Sequence, residues 1–159
     1  MKLVVGVGDL QVSGDPVDSI VTYSLGSCVG VCIYDPVARV GGMLHYMLPE
    51  SKISPEKAAA HPYMFADTGI PALFRKAYAL GAVKGRITVR AAGGAEILDA
   101  AGLFNIGKRN LLELRKILWK NGLMLGRSEV GGSVNRTVTM EIASGEIVLK
   151  TSGQGISRL

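Results

Sequence analysis

Two apolar runs separated by a short break predict a β-hairpin in the first third of the chain. The first run covers Val29–Tyr34 and the second covers Val40–Leu48. Between them, Asp35 and Pro36 interrupt the pattern with residues that favour turns over strands. We therefore expect two adjacent antiparallel strands joined by a tight loop.

The length of the loop decides which residues of the two strands face each other. If the loop consists of the four residues Asp35–Ala38, Tyr34 pairs with Arg39, and Cys28 lies directly opposite His45. Opposed residues share a face of the sheet, with Cβ atoms about 4.5–5.5 Å apart. An imidazole at that distance can take the proton from a thiol, so this register predicts the cysteine–histidine pair that a thiol hydrolase needs.

The rest of the pattern predicts strands near both ends of the chain and helices in the middle. Ser54–Glu56 is a favourable helix start, with a serine N-cap, a proline and an acid, and Pro62 interrupts that helix. The segment Glu96–Gly107 has no clear pattern. Further strands are expected at Lys2–Val7, Ser19–Ser24, Lys84–Ala92, Leu123–Val130, Arg136–Ala143 and Ile147–Thr151, and a second helix at Tyr63–Leu80. This order predicts an α+β fold with a mixed or antiparallel sheet system.

The segment Lys108–Lys120 carries the clearest helical pattern. Its apolar residues are expected to form a broad stripe that faces the core, consisting of Leu111, Leu112, Leu114, Ile117, Leu118 and Trp119. Its basic residues occupy the other side, and these are Lys108, Arg109, Arg115, Lys116 and Lys120. We therefore expect an amphipathic helix that exposes only its basic side.

The composition suits one compact domain formed by residues 1–159. Hydrophobic residues make up 48% of the chain and charged residues 19%, with 21 glycines. A chain of this size can bury a core without disulfides or metals, and this balance argues against disorder. The net charge is +5, but the basic residues are scattered and no nucleic-acid-binding motif is present. We therefore expect no nucleic-acid partner.

No segment is expected to enter a membrane. The N-terminal residues MKLVVGVGDL are too short and too soon interrupted for a signal peptide. No apolar run approaches the roughly 18–20 residues that span a bilayer. We therefore expect a cytoplasmic protein without direct membrane insertion.

The two cysteines are expected to remain free. Cys28 and Cys32 are four residues apart, which on one extended strand separates their Cα atoms by roughly 13 Å, too far for a disulfide. A zinc site needs about four ligands. The chain offers two histidines and no CxxC pair, so we expect no metal and no other cofactor. Cys32 lies inside an apolar run and is expected to be a small buried side chain.

Cys28 differs because Gly26 and Ser27 precede it and place it at the exit of a turn. Consecutive backbone N–H groups in such a turn can converge on one point and form an oxyanion hole beside a nucleophile. A buried cysteine without a chemical role and a core histidine at His45 are the alternatives that the residues leave open. A triad would add an aspartate, asparagine or glutamate to orient the imidazole, but none has a suitable spacing.

Five stretches between Ser24 and Val138 carry a resemblance to a known family: SLGSCVGVCIYDP, GGMLHYMLP, AAGGAEI, NIGKRNLL and EVGGSVNRTV. They resemble the chemoreceptor glutamine deamidases, the CheD family. The resemblance implies a cysteine-hydrolase-like β-sandwich, a pair of packed sheets flanked by helices that is related to deamidating bacterial toxins. This agrees with the α+β class predicted from the pattern.

The resemblance also implies a function. Members of the family deamidate particular glutamines on the cytoplasmic helices of bacterial chemoreceptors during chemotaxis adaptation, and a receptor methylesterase activity is associated with them. The family's catalytic cysteine, histidine and threonine correspond to Cys28, His45 and Thr22. A CheC-type phosphatase of the response regulator is the implied protein partner.

Two other functions remain open alongside this one. The chain could be a non-catalytic adaptor that binds a CheC-type phosphatase and receptors. It could also be a thiol hydrolase of small amides or esters, for which Cys28 and His45 would suffice.

Overall fold

The computed structural model describes residues 1–96 and 105–159, which form ten β-strands and three α-helices. The strands are β1 (Lys2–Val4), β2 (Asp9–Ser13), β3 (Ser19–Leu25), β4 (Val29–Asp35), β5 (Val40–Tyr46), β6 (Thr88–Gly93), β7 (Glu129–Val130), β8 (Arg136–Glu141), β9 (Ile147–Thr151) and β10 (Gly155–Arg158). The helices are α1 (Pro55–Ala60), α2 (Ala66–Ala79) and α3 (Ile106–Lys120).

The strands form two five-stranded sheets. The order is β1-β3-β8-β9-β10 in the first sheet and β2-β5-β4-β6-β7 in the second. Most neighbouring strands are antiparallel, but β1 pairs with β3, and β6 with β7, in parallel. Both sheets are therefore mixed, and the predicted α+β class is confirmed.

Two hydrophobic clusters hold these layers together. The inner cluster lies between the sheets and receives Ile20 and Met140 from the first sheet and Cys32 and Met43 from the second. The outer cluster packs α2 and α3 against the other face of the second sheet. The protein is therefore a sandwich of two sheets that carries its long helices on one side.

Strands β4 and β5 lie in the middle of this arrangement, and this explains why they are apolar along their whole length. Every residue of Val29–Asp35 and Val40–Tyr46 is buried. Successive side chains of a strand point to opposite faces. Each strand therefore contributes to both clusters, and a polar side chain on the inner face, such as His45, is enclosed between the sheets.

The predicted hairpin exists, but its predicted register is wrong by two residues. Tyr34 pairs with Gly41 and not with Arg39. The loop is Pro36–Arg39 instead of Asp35–Ala38, so β4 extends one residue further than predicted and β5 begins one residue later.

Asp35 and Arg39 give the physical reason for the shift. Arg39 adopts a left-handed conformation with φ of 55°, and its N–H donates to the Asp35 carbonyl at 2.8 Å. The Asp35 carboxylate accepts from the N–H groups of Val37 and Ala38 and forms a 2.9 Å salt bridge with Arg86. Asp35 is thus the last residue of β4, and its side chain also stabilises the loop. The loop therefore begins one residue later than predicted.

Several other predicted strands differ in extent. The first strand ends at Val4 instead of Val7, and β2, which follows it, was not predicted. Only the last two residues of the predicted strand Leu123–Val130 form β7, and β10 was not predicted. The segment Glu96–Gly107, for which no pattern was found, falls largely outside the described residues.

Candidate active site

The turn Gly26–Cys28, between β3 and β4, is anchored at each of its three carbonyl groups. The three hydrogen bonds run from the Ala95 N–H to the Gly26 oxygen at 2.9 Å, from Asn110 Nδ2 to the Ser27 oxygen at 3.0 Å, and from the Gly94 N–H to the Cys28 oxygen at 2.8 Å. The donors come from the end of β6 and from α3. Distant parts of the chain therefore fix the orientation of every peptide plane in the turn.

This anchoring also determines where the N–H groups of the turn point. In a trans peptide the carbonyl and the following N–H point to opposite sides of the chain. The N–H groups of Ser27 and Cys28 thus face away from the donors that hold the turn. Neither of them donates to an acceptor among the described residues, and the turn is partly exposed. The expected oxyanion-binding turn has its free donors at Ser27 and Cys28, while Gly26 provides an anchored carbonyl.

Gly93 has to be a glycine for this turn to form. It adopts φ of 108°, which side-chain-bearing residues rarely reach, and a Cβ placed on it would overlap the Cys28 carbonyl oxygen. The next residue, Gly94, has φ of 62° and packs against Leu111 of α3. The glycine pair thus lets β6 approach the Gly26–Cys28 turn more closely than any side chain would allow.

A β-bulge in β3 sends two side chains to the inner face beside the site. Thr22 and Leu25 pair with residues of β8 that are only two positions apart, so β3 contains one extra residue. Within this stretch Ser24 has φ of 55°. Thr22 and Leu25 are both completely buried. Bulges are common next to active sites because they redirect a side chain or end a ladder, and this one leads directly into the Gly26–Cys28 turn.

Thr22 and His45 contact each other across the gap between the two sheets. Thr22 Oγ1 lies 2.7 Å from His45 Nδ1 and 2.8 Å from the carbonyl oxygen of Val5. The hydroxyl has one hydrogen, which it donates to the Val5 carbonyl because that oxygen can only accept. The hydroxyl must therefore accept from Nδ1–H of His45. This arrangement selects the tautomer in which Nε2 carries the free lone pair.

His45 Nε2 is buried and has no hydrogen-bond partner among the described residues. Gly30, not Cys28, lies directly opposite His45 in the ladder, and Cys28 is two residues further along, just before β4 begins. A shift of two residues preserves the face of the strand, and the Cys28 side chain does pack against the inner cluster. Gly30 has no side chain, and the side chains of Leu25 and Thr22 cover this position, 3.0 and 3.6 Å from where its Cβ would lie.

Burial keeps both members of this pair neutral. It lowers the pKa of His45 to about 4, so the imidazole is uncharged at neutral pH. Burial also raises the pKa of the Cys28 thiol from 9.0, although the residue's own N–H acts in the opposite direction. The resting site therefore holds a thiol and a neutral base instead of a thiolate–imidazolium pair.

Asn110 is a further site residue that the sequence did not reveal. Its Nδ2 donates to the Ser27 oxygen and also to the Met47 oxygen, both at 3.0 Å. Ser27 precedes β4 and Met47 follows β5, so one side chain ties the two open ends of the hairpin together. The Asn110 carbonyl in turn accepts from the Tyr46 hydroxyl at 2.7 Å. The only sequence signal was a polar residue on the otherwise apolar face of α3.

The remaining candidate side chains lie outside this arrangement. Cys32 is buried in the inner cluster, and burial raises the pKa of its thiol to about 12. His61, the second of the two histidines in the chain, is exposed at the end of α1. Among the described residues, no three histidines, cysteines or carboxylates are grouped as metal ligands. No helix in the described part of the chain is long and apolar enough to cross a membrane.

Comparison with known proteins gives a consistent result. The model of the family described as CheD chemotactic sensory transduction matches residues 47–151. A probable chemoreceptor glutamine deamidase CheD of Solibacter usitatus is 51% identical, over 96% of this chain and 90% of its own length. A probable chemoreceptor glutamine deamidase CheD 1 of Syntrophus aciditrophicus is 47% identical, over 99% and 98%. The chemoreceptor glutamine deamidase CheD of Thermotoga maritima is 39% identical, over 98% and 95%.

Proposed function

Because the chain belongs to the CheD family, we propose that it deamidates glutamine side chains of chemoreceptors and so converts them to glutamates. The names of the relatives supply the substrate class. The observation that carries the chemistry is the hydrogen bond between Thr22 and His45, which leaves Nε2 as a buried base on the side of the sheet that Cys28 also faces. Cys28 is the nucleophile, His45 the base, and Thr22 orients the base.

Thiol deprotonation and attack occur together in this site. Burial lowers the pKa of His45 to about 4 and raises that of the Cys28 thiol, so it disfavours a thiolate–imidazolium pair formed before the attack. The thiol proton therefore passes to Nε2 as the sulfur bonds to the carboxamide carbon of the substrate. The developing negative charge moves to the carboxamide oxygen, where the N–H groups of Ser27 and Cys28 can donate to it.

Breakdown of the intermediate returns the proton. The imidazolium of His45 gives it to the departing nitrogen, ammonia leaves, and a thioester remains on Cys28. Neutral His45 then takes a proton from water, and the hydroxide attacks the thioester. As the C–S bond breaks, the imidazolium of His45 returns its proton to the sulfur, so the products are a glutamate side chain and the free thiol. Thr22 supplies no charge, so its contribution is to keep Nδ1 protonated and the ring in place throughout.

The same proposal covers the setting of the reaction. The substrate is the cytoplasmic helical part of a chemoreceptor, which places the enzyme in the cytoplasm. Residues 1–159 act as a single deamidase domain, and a CheC-type phosphatase is its regulatory partner.

Ammonia release from a purified chemoreceptor cytoplasmic fragment tests the proposal. The protein should release ammonia, and mass spectrometry should locate glutamates where the fragment had glutamines. Cys28→Ala should abolish both signals, whereas Cys32→Ala should retain them because Cys32 is a buried core residue. Equal ammonia release by the Cys28→Ala variant would refute the assignment of the nucleophile.

A non-catalytic adaptor would give a different result. It would bind the receptor fragment equally well with and without Cys28 and would modify no glutamine in either case. A hydrolase of small amides would act on free glutamine as fast as on the receptor fragment. Each alternative therefore has its own outcome in the same assay.

A further inference from the structure

Arg136, the first residue of β8, is a buried cation that has no direct role in the reaction at Cys28. It is 6% exposed and lies opposite Leu25, the residue before the Gly26–Cys28 turn. No salt bridge between described residues includes Arg136, and its Nε atom is buried without a hydrogen-bond partner among them. Burial lowers the pKa of the guanidinium, and the charge of Glu129 acts in the opposite direction. A buried cation without a carboxylate partner is costly, so a neutral side chain would be less costly at this position.

The hydrogen bond that Arg136 does form is to the backbone at the end of β6. Its Nη1 donates to the Gly93 carbonyl oxygen at 3.2 Å, and the Gly131 N–H donates to the same oxygen at 2.9 Å. On the other side of this peptide group, the Gly94 N–H donates to the Cys28 carbonyl oxygen at 2.8 Å. The Gly93–Gly94 peptide group therefore connects the guanidinium to the residue that carries the thiol.

This peptide group has to be held in place because both of its residues are glycines. Gly93 has φ of 108° and Gly94 has φ of 62°. Glycine adopts positive and negative φ about equally readily, so a peptide plane between two glycines can flip more easily than one between residues with side chains. A flip would exchange the directions of the carbonyl and the N–H, which point to opposite sides of a trans peptide. The Cys28 carbonyl would then face an oxygen instead of a donor, and the Gly26–Cys28 turn would lose one of its three anchors.

A cation at the Gly93 oxygen opposes this flip more strongly than a neutral donor would. Hydrogen bonds from an ionised group are roughly twice as strong as those between neutral groups. A donor on the carbonyl also polarises the peptide group, which strengthens the hydrogen bond from the Gly94 N–H to Cys28. A flip would turn that N–H toward the guanidinium and leave the buried cation without its acceptor. The charge of Arg136 therefore favours the orientation in which the turn is anchored.

We propose that Arg136 is a positioning residue for the reaction at Cys28, because it keeps the Gly93–Gly94 peptide group from flipping and so keeps the Gly26–Cys28 turn anchored. The inference rests on the proposed function, since it concerns the same nucleophile. Arg136 acts through the two glycines and not on the substrate. Its loss should therefore lower turnover and leave the affinity for the chemoreceptor fragment unchanged.

Arg136→Met tests the proposal, because methionine fills much of the same space but removes the charge and the donors. We expect kcat for ammonia release to fall about tenfold or more with KM nearly unchanged, since the turn loses a fixed anchor. In the same variant, the Gly94 N–H should exchange with solvent about tenfold faster relative to the other amides of β6, as measured by NMR. Arg136→Lys retains a charged donor and should recover most of the lost kcat. If Arg136→Met does not fold, Arg136→Gln keeps a polar group in the interior and takes its place with the same expected results.

Leu149→Ala is the control for a loss of stability without a change at the turn. Leu149 is 1% exposed and belongs to the inner cluster, on the strand next to β8. Its truncation leaves a cavity in the core and should lower Tm, as Arg136→Met does. Below the unfolding transition it should leave both kcat and the relative exchange rate of the Gly94 N–H unchanged.

The outcomes separate the positioning role from the proposed function. Parent values of kcat and of Gly94 exchange in Arg136→Met would overturn the positioning role, even if Tm is lower. A loss of kcat that Leu149→Ala shares would reduce Arg136 to a contribution to stability and overturn it too. A raised KM with unchanged kcat would assign Arg136 to substrate binding, which also contradicts the proposal. Absence of ammonia release by the parent protein would instead refute the function, and Gly94 exchange would still show whether Arg136 holds the peptide group.

Discussion

Thr22 and His45 belong to different sheets, and the 2.7 Å contact between Thr22 Oγ1 and His45 Nδ1 crosses the core of the sandwich. The contact exists only when the two sheets are packed against each other. It determines which imidazole nitrogen keeps a free lone pair, because the threonine hydrogen is donated to the Val5 carbonyl. The chemistry of the site therefore depends on the packing of the sheets and not on the hairpin alone.

Replacing the Thr22 hydroxyl should affect turnover and stability together. Thr22→Val keeps the shape but leaves Nδ1–H and the Val5 carbonyl without partners inside the core. We expect kcat to fall by about a hundredfold and the free energy of unfolding by about 1–3 kcal/mol. Thr22→Ser retains the hydroxyl and should keep most of the activity. Ammonia release and thermal unfolding measure the two effects, and wild-type kcat in Thr22→Val would contradict the tautomer argument.

Adding one methyl group at Gly93 should disable the site. Gly93→Ala places a Cβ on the Cys28 carbonyl oxygen at a φ of 108° that alanine avoids. We expect loss of ammonia release and a free energy of unfolding lower by at least about 2 kcal/mol. Gly85→Ala is the matched control, because a Cβ there meets no atom within 4 Å. Activity in Gly93→Ala equal to that in Gly85→Ala would show that the turn does not depend on this close approach.

Asn110 should act on the position of Cys28 and not on substrate affinity. In Asn110→Ala, the Ser27 and Met47 carbonyls lose their shared donor, so the turn is held at two points instead of three. We expect kcat to fall about tenfold or more with little change in KM, and the free energy of unfolding to fall by about 1–3 kcal/mol. Asn121→Ala, at the exposed end of the same helix, should change both quantities only slightly. A rise in KM alone would contradict the positioning role.

The thiol of the resting protein should behave as a neutral group. Because burial raises the pKa of Cys28 above 9.0 and His45 is uncharged above about pH 4, alkylation by iodoacetamide should still accelerate as the pH passes 9. The acid limb of kcat/KM should lie well below the usual histidine value, near pH 4. A plateau of alkylation from pH 6 upward would indicate a preformed thiolate–imidazolium pair. Cys28→Ala provides the background from Cys32.

The hairpin loop should make stability depend on pH in the acid range. Burial alone would raise the pKa of Asp35, but the bonds to Arg86 and to the Val83, Ala38 and Val37 N–H groups lower it well below 3.8. A carboxylate whose pKa is lower in the folded protein stabilises the fold when the pH is above its unfolded-state pKa. This stabilisation is lost as the pH falls from the unfolded-state pKa through the folded-state pKa. Asp35→Asn should therefore reduce Tm at pH 7, and the difference from the parent should shrink toward pH 3. An equal difference at both pH values would contradict this.

The hairpin could be predicted because β4 and β5 are buried on both faces, which gives continuous apolar runs. Its register could not, because it depends on Arg39 in a left-handed conformation that arginine adopts only when other contacts impose it. The shift of two residues left Cys28 and His45 on the same face. A shift of one residue would have separated them.

The supporting residues were harder to predict because their partners are backbone groups. Asn110 donates to the Ser27 and Met47 carbonyl groups, and Gly93 leaves space for the Cys28 carbonyl group. Every residue has a backbone carbonyl group, so the sequence does not show which of them a side chain will contact. Thr22 came from the family resemblance, since its contact with His45 depends on how two sheets pack. On α3, the basic residues are exposed as predicted. Leu112 and Trp119 were expected to belong to the apolar side that faces the core, but both are exposed.

The three carbonyl groups of the Gly26–Cys28 turn are held by donors that come much later in the chain, so the turn cannot be fixed until most of the polypeptide has been synthesised. During synthesis the ribosome delivers Cys28 well before Gly94, Ala95 and Asn110, so a nascent chain has a thiol but no ordered N–H donors beside it. A truncated product that ends before α3 lacks one of the three anchors as well. The turn that carries Cys28 can therefore reach its final shape only after β6 and α3 have been made and have folded onto it.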